Sequence, residues 1–134
     1  MIKTILVPIS APDTSLPTLE TARQVAQRFN AHIEALHVRP DPRGLVPYTG
    51  EGMDGSMIEE IMDATEREGS DRAGRARQVF DEFCARHAIR VTAVPSTEAA
   101  ATASWREEVG REDEVVAIRG RLYDLIVVGR PVRD

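Results

Sequence analysis

The stretch DLIVVGRPVRD, residues 124–134, gives the clearest indication of the fold. Leu125 to Val128 follow Asp124 as a short apolar run, and Gly129 comes directly after that run. A short run of Leu, Ile and Val that stops at a turn residue is typical of a strand buried on both faces, as in a parallel sheet covered by helices. We therefore predict a strand over residues 124–128, with Gly129 at its carboxyl end.

Two more strands are predicted near the amino terminus. The runs IKTILVPIS (2–10) and HIEALHV (32–38) are rich in aliphatic residues. Between them, apolar residues at spacings of three and four predict an amphipathic helix, which Asn30 ends in the left-handed conformation. A strand, a helix and a second strand within about forty residues form a βαβ unit with parallel strands.

The middle of the chain is predicted less sharply. SMIE at 56–59 has the spacing of a capping box, and a long helical pattern follows as far as Cys84. Gly69 and Gly74 weaken its middle by about 1 kcal/mol each relative to alanine, which predicts a bend or a break. Residues 89–94 and 104–109 both look extended, and the pattern fits one interrupted strand or two. Residues 111–122 form a short helix with acids at its start.

This order of elements predicts an α/β fold, an open, doubly wound parallel sheet in a single domain over residues 1–134. In such sheets, ligands bind beyond the carboxyl ends of the strands, where the strand order reverses. The ends in question are Ile9–Ser10, His37–Arg39 and Val128–Gly129.

Composition narrows the classes of function. The net charge of −5 argues against a nucleic-acid surface, which would need a basic face. No segment has the length of a transmembrane helix, and a single cysteine, Cys84, allows no internal disulfide and no multi-cysteine metal site. No catalytic or nucleotide-binding fingerprint for an enzyme is present. We expect a cytoplasmic protein that is not an enzyme and does not bind a membrane.

Three ordered stretches resemble the universal stress protein family: KTILVPIS at 3–10, FNAHIEALHV at 29–38 and EVGREDEVVAIRGRLYDLIVVGRP at 108–131. The last has the family's glycine, short helix and Asp-Leu-Ile-Val-Val-Gly. This last stretch is similar to that of the first domain in a two-domain member of the family. The resemblance implies a five-stranded α/β domain, commonly dimeric, that takes part in stress survival and in some members binds ATP.

The resemblance also names candidate binding residues, namely Ile9, Ser10, Val38 and Gly129. Gly129 matches the first glycine of the family's phosphate loop, and Val38 matches a position near adenine. Val132 stands where the loop's second glycine is expected, and Ser10 stands where ATP-binding members carry an aspartate. Glycine-rich turns bind phosphates through backbone N–H groups. The changed positions imply no cofactor as the first expectation, with ATP as the alternative.

A fourth helix and a fifth strand are expected after residue 134. Residues 1–134 are therefore predicted to lack the last helix and the last strand of the fold. The strand at 124–128 would then present an unpaired edge and an apolar face. We expect a homodimer or a second stress-protein domain to cover it. Two functions follow: an interaction module with a degenerate nucleotide site, and, as the alternative, an adenine-nucleotide-binding stress protein domain.

A few single residues have two interpretations. His37 is either a ligand-binding or catalytic residue at the crevice, or a packing histidine bonded to the backbone. Trp105 is either an interface anchor or a core residue. Cys84 continues an apolar stripe and is expected to be a buried, unreactive thiol. His32 and His87 are predicted to face solvent.

Overall fold

A computed structural model describes residues 1–45, 54–95 and 100–130, so Val132 and the centre of the Gly/Pro-rich segment at 39–55 lie outside the described residues. The sheet has five strands in the order β3-β4-β2-β1-β5. The elements are β1 (Thr4–Pro8), α1 (Ser15–Phe29), β2 (His32–Arg39), α2 (Gly55–Arg86), β3 (Arg90–Val91), β4 (Thr102–Val109), α3 (Glu112–Gly120) and β5 (Leu125–Ile126). Short 3-10 turns occupy Pro12–Thr14 and Pro42–Leu45.

Every pair of neighbouring strands is parallel, which confirms the predicted sheet. Alternate residues of the central strands point to one face, where α1 and α2 cover them and the core forms. Its members include Ile5, Val7, Ile33, Ala35, Leu19, Ala22, Ala76 and Phe80. On the other face α3 lies so close to β5 that a Cβ on Gly120 would overlap Ile126 Cδ1. Helices on both faces exclude water from the middle of the sheet.

The two long helices begin and end for identifiable reasons. Asn30 ends α1 with φ 52° and ψ 44°, the left-handed conformation that its sequence predicts. The capping box predicted at residues 56–59 is wrong: α2 begins at Gly55, and the Asp54 side chain accepts a hydrogen bond from the Met57 N–H at 2.8 Å. Helix α2 continues unbroken for 32 residues through Gly69 and Gly74. Burial of Phe80 and Phe83 in its second half outweighs the weakness of the two glycines.

The segment 89–109 contains two strands, which resolves the ambiguity in the sequence. Strand β3 has only two residues, Arg90 and Val91, which pair with Thr102 and Ala103 of β4. Strand β4 pairs along its whole length with β2. The five strands therefore all lie within residues 4–126, whereas the additional helix and strand expected after residue 134 stay a prediction.

The predicted strand at 124–128 is shorter in the structure because its first residue has another role. Asp124 Oδ2 accepts hydrogen bonds from the Lys3 N–H at 2.8 Å and from the Thr4 N–H at 3.1 Å. Leu125 and Ile126 then pair with Ile5 and Leu6 of β1. The hydrogen bonds to the Lys3 and Thr4 backbone lower the pKa of Asp124. Asp124 thus joins the start of β5 to the start of β1.

We predict that Asp124→Asn lowers the stability of the domain, because an amide oxygen is a weaker acceptor for the two N–H groups than a carboxylate. A carboxyl group whose pKa is lowered by folding stabilises the fold above its unfolded pKa of about 3.9 and loses that effect as the pH falls through its folded pKa. Urea unfolding at pH 7 and at pH 3 measures this. The parent should lose part of its stability between the two values, and the variant should lose less.

The matched control is Asp63→Asn, which changes an exposed carboxylate on α2. This control should unfold like the parent at both pH values. Equal pH dependence of Asp124→Asn and the parent would show that the Asp124 carboxylate does not stabilise the fold.

Candidate functional site

The largest described cleft lies at the carboxyl ends of β1 and β2 and has a volume of about 810 Å³. Pro8 and Ser10 follow from β1, while His37 and Val38 belong to β2. Arg72 of α2 and Ile126 of β5 form further parts of the wall. The segment that leads into α3 and α3 itself also contribute, with lining residues Gly110, Arg111, Glu112, Asp113, Val116 and Ala117. The base of this cleft is mostly apolar, and its charged groups lie around the rim. Such a cleft can hold a small, flat molecule.

A second cleft, of about 370 Å³, lies beside the first and shares Pro8, Ser10 and Glu112 with it. Its other walls are the turn after β1, the first turns of α1, and the end of the β5 segment, with lining residues Ile9, Ala11, Thr14, Ser15, Thr18, Gly129 and Arg130. About half of the surface of this second cleft is polar. Both clefts lie at the carboxyl end of β1. The strand order reverses at this strand, because β2 pairs with one side of β1 and β5 with the other.

The four predicted binding residues lie around these two clefts. Ser10 lines both, Val38 lines the larger one, and Ile9 and Gly129 line the smaller one. Ile9 is 2% exposed, and its N–H donates to the Leu36 carbonyl at 2.8 Å. Ile9 therefore shapes the wall through its backbone. Whether any of the four residues contacts a ligand stays a prediction.

Gly129 is required for a steric reason. A Cβ at this position would lie 2.6 Å from Thr18 Oγ1, too close for any real contact. Among the described glycines only Gly110 has a positive φ, so Gly129 adopts a backbone conformation that alanine also tolerates. The absence of a side chain at 129 lets the end of the β5 segment approach α1, and this approach forms one wall of the smaller cleft.

His37 is held in the packing role. It is 2% exposed, its Nδ1 bonds the Ile9 carbonyl oxygen at 2.7 Å, and its ring stacks on Trp105 with centroids 6.2 Å apart. Because a carbonyl oxygen can only accept, His37 Nδ1 carries a proton and donates it to the Ile9 carbonyl. His37 therefore ties the end of β1 to β2 while one edge of its ring faces the larger cleft.

Charges at the clefts include residues that the sequence analysis did not single out. Glu112 lines both clefts and Asp113 lines the larger one. Arg111 is already engaged by Asp113 at 3.0 Å and by Glu114 at 3.4 Å. The acids at the start of α3 were interpreted only as partners of the helix dipole, and nothing in the sequence placed them beside Ser10. Carboxylates at this point would repel a polyphosphate.

The prediction that His32 faces solvent is wrong. His32 is 4% exposed, with Nδ1 2.7 Å from Thr102 Oγ1 and Nε2 2.9 Å from Ser104 Oγ, and burial lowers its pKa. Its neighbours on β4 bury it because β2 is an interior strand with both faces covered. Cys84 is buried as expected, and burial raises its pKa to about 11, which keeps the thiol protonated and unreactive.

Within the described ranges, no group of three or more His, Cys, Asp or Glu side chains is placed to hold a metal ion. A search of the same part of the chain finds no helix with the length and apolarity needed to span a bilayer.

The fold and the paired clefts define a parallel α/β domain with a crevice at the carboxyl ends of its strands. A family model described as the universal stress protein family matches residues 1–134. The chain belongs to the universal stress protein family, as its sequence resemblance implied. A search of curated proteins found no match.

Solved structures with this fold include a protein from the universal stress protein family from Burkholderia pseudomallei, with 21% identity and a TM-score of 0.51 over 96% of this chain and 82% of that one. The universal stress protein UspA from Lactobacillus plantarum is also similar, with 24% identity and a TM-score of 0.48 over 95% of this chain and 76% of that one.

We predict that Gly129→Ala destabilises the domain by about 1–3 kcal/mol, the usual cost of an added methyl in a packed contact. Thr18→Ala removes the Oγ1 that the new methyl would meet. The destabilisation of the double variant should therefore be smaller than the sum of the destabilisations of the two single variants, by a coupling energy of about 1 kcal/mol or more. Urea unfolding of the four proteins measures the cycle. Additive losses would show that contact with Thr18 is not the reason for the glycine.

Proposed function

We propose that this stress-protein domain is a non-catalytic interaction module of the cytoplasm that pairs with a second copy of itself, or with a second stress-protein domain, and whose nucleotide site is degenerate. The observation that carries the proposal is exposed apolar surface on α3 and after β5. Ile118 is 64% exposed, Leu122 76% and Val128 67%. Ile118 and Leu122 line the same cleft, and adjacent apolar side chains at such exposure are typical of a surface that a partner covers.

The geometry around these side chains suits an interface. Val115, Ile118 and Leu122 line a shallow cleft of about 350 Å³, and Arg119 borders it. Arg119 is held by Glu108, which accepts from its Nε at 2.9 Å. An apolar centre with a hydrogen-bonded polar border is the ordinary arrangement of a protein interface. Within the described residues, β5 pairs only with β1, so its outer edge is open to a further strand.

The clefts support the degenerate reading of the nucleotide site. Ser10 brings a neutral hydroxyl to the point where both clefts meet, and Glu112 adds a carboxylate to both. Gly129 is packed against Thr18. A triphosphate needs free N–H groups, cations or a bound metal ion at that position. Glu112 disfavours phosphates where the two clefts meet, whereas Arg72 lines the larger cleft and Arg130 the smaller one, and the mostly apolar surface of the larger cleft could hold a flat ring.

The test of the interaction module is self-association measured by analytical ultracentrifugation. We predict a concentration-dependent dimer for the parent, and a dissociation constant raised at least about tenfold by Leu122→Asp, because burying an unpaired carboxylate costs more than about 1.4 kcal/mol. Ser70→Asp adds the same charge at an exposed position of α2 and serves as the control. A parent that stays monomeric at all concentrations, or equal effects of the two variants, would contradict self-pairing through this surface.

The alternative function is binding of an adenine nucleotide. It is supported by the two adjoining clefts at the reversal point of the sheet, where Val38 and Ser10 lie together. We predict little or no adenine nucleotide released from the purified, denatured protein and no heat on titration with ATP.

If binding does occur at micromolar concentration, Val38→Trp should abolish it by filling the larger cleft. Val94→Trp, at a position 68% exposed and outside both clefts, should leave it unchanged. Stoichiometric binding with this pattern would replace the degenerate-site reading with the nucleotide-binding one.

A further inference from the structure

The outer edge of β4 is paired for only its first two residues. Successive residues of a strand direct their N–H and C=O groups to opposite neighbours. The Ala103 carbonyl accepts from the Thr92 N–H on the β3 side at 2.8 Å, while the Thr102 and Gly110 N–H groups donate to β2 and its flank. The backbone groups of Trp105 and Glu107 therefore face the β3 side. In the part of the chain that the structure describes, no backbone group pairs with them.

A turn of the chain keeps β3 from covering this edge. Thr92 Oγ1 donates to the Val94 carbonyl at 2.8 Å, which bends the backbone directly after the last ladder bond. Residues 89–94 were predicted as one strand, yet only Arg90 and Val91 pair. The local Thr92 hydrogen bond competes with further pairing. Among the described residues, the backbone edge from Trp105 to Glu107 is thus left without a paired strand.

A cleft of about 510 Å³ lies along this open edge. It is separate from the two clefts at the strand ends, with which it shares no residue. Two of its lining residues carry a buried polar atom without a hydrogen-bond partner among the described residues, Glu34 Oε2 and Trp105 Nε1. The two side chains lie on opposite faces of the sheet, because Trp105 pairs with Ala35 and not with Glu34.

The charges at the cleft indicate which peptide would bind. Arg77 pairs with Asp81 at 3.4 Å, and Arg106 is shared between Glu34 at 3.1 Å and Glu108 at 3.7 Å. Glu107 also lines the cleft, and within the described residues it forms no ion pair. Within the described residues, Glu107 is thus the charged lining residue that is left without an ion-pair partner. A peptide with a basic side chain complements it.

We propose that this edge is a docking site for an extended segment of a partner protein that carries a lysine or arginine, which adds to the sheet as a strand next to β4. Main-chain hydrogen bonds to Trp105 and Glu107 hold the segment, and its basic side chain lies beside Glu107. This mode of recognition needs only an open edge and an adjacent cleft. The site lies at the edge of the sheet opposite β5, so it is independent of the self-pairing proposed above.

Trp105 is the only tryptophan of the chain, so its fluorescence reports directly on the cleft. The probe is the acetylated and amidated peptide Thr-Val-Lys-Val-Thr, with Thr-Val-Glu-Val-Thr as its charge-reversed control. We expect the lysine peptide to shift the Trp105 emission in a saturable way. We expect the glutamate peptide to bind at least about five-fold more weakly, since exchanging an attractive charge pair for a repulsive one is worth about 1 kcal/mol at an exposed site.

The decisive variant is Glu107→Pro, compared with Glu107→Ala. The Glu107 N–H faces the open edge, so proline removes one docking donor and leaves the bonds between β4 and β2 in place. Both variants lack the carboxylate, and only the proline variant lacks the N–H. We expect the proline variant to bind the lysine peptide about five-fold more weakly than the alanine variant, the worth of one hydrogen bond of about 1 kcal/mol. Circular dichroism and thermal unfolding establish that both variants fold.

A second measurement does not depend on the proline variant. Hydrogen exchange of the Trp105 and Glu107 amides in the parent should be fast in the free protein and should slow in the presence of the lysine peptide. No change in emission and in exchange at saturating peptide would overturn the proposal. So would sedimentation showing that Glu107→Pro dissociates a dimer, because the edge would then be occupied by a second copy of this chain.

Discussion

The parallel pairing of β1 with β2 on one side and with β5 on the other is the constraint on which the rest of the structure depends. It places the carboxyl ends of β1, β2 and β5 side by side, and both strand-end clefts lie at these ends. The pairing with β5 is short, two residues on each strand, so a single carboxylate has a large part in it. Asp124 accepts from two consecutive N–H groups at the start of β1 before the ladder begins. A strand this short would slide without such a fixed starting point.

The same pairing explains why glycine and not another small residue stands at 129. Once Asp124 fixes the start of β5, the register of Leu125 and Ile126 against β1 determines where Gly129 lies. Gly129 lies against Thr18, where there is no room for a Cβ. The glycine at the end of DLIVVG is therefore explained by packing alone. A domain that binds no nucleotide would therefore still need this glycine.

Much of the fold could be predicted from the sequence, because the signals for β1, α1 and β2 are local and agree with one another. Aliphatic runs mark the strands, and Asn30 marks the end of α1 in the conformation observed. Residues 89–109 could not be resolved in the same way. A strand of two residues has no periodicity, and the Thr92 bond that ends it depends on a side-chain choice that no pattern reveals. His32 was misjudged because it flanks the predicted strand, where side chains are commonly exposed, whereas β2 is buried from its first residue.

For the candidate site, position along the chain was enough to predict Ile9, Ser10, Val38 and Gly129, since all four lie at strand ends. Thr18 and Glu112 were not predicted, because they reach the clefts from helices whose placement depends on tertiary packing. This difference bears on function. The strand ends supply the shape of a ligand crevice, and the helices supply its charge. In this chain α3 brings carboxylates to the crevice and exposed apolar side chains to the surface, so both parts of the proposed function, the degenerate nucleotide site and the protein partner, depend on this one helix.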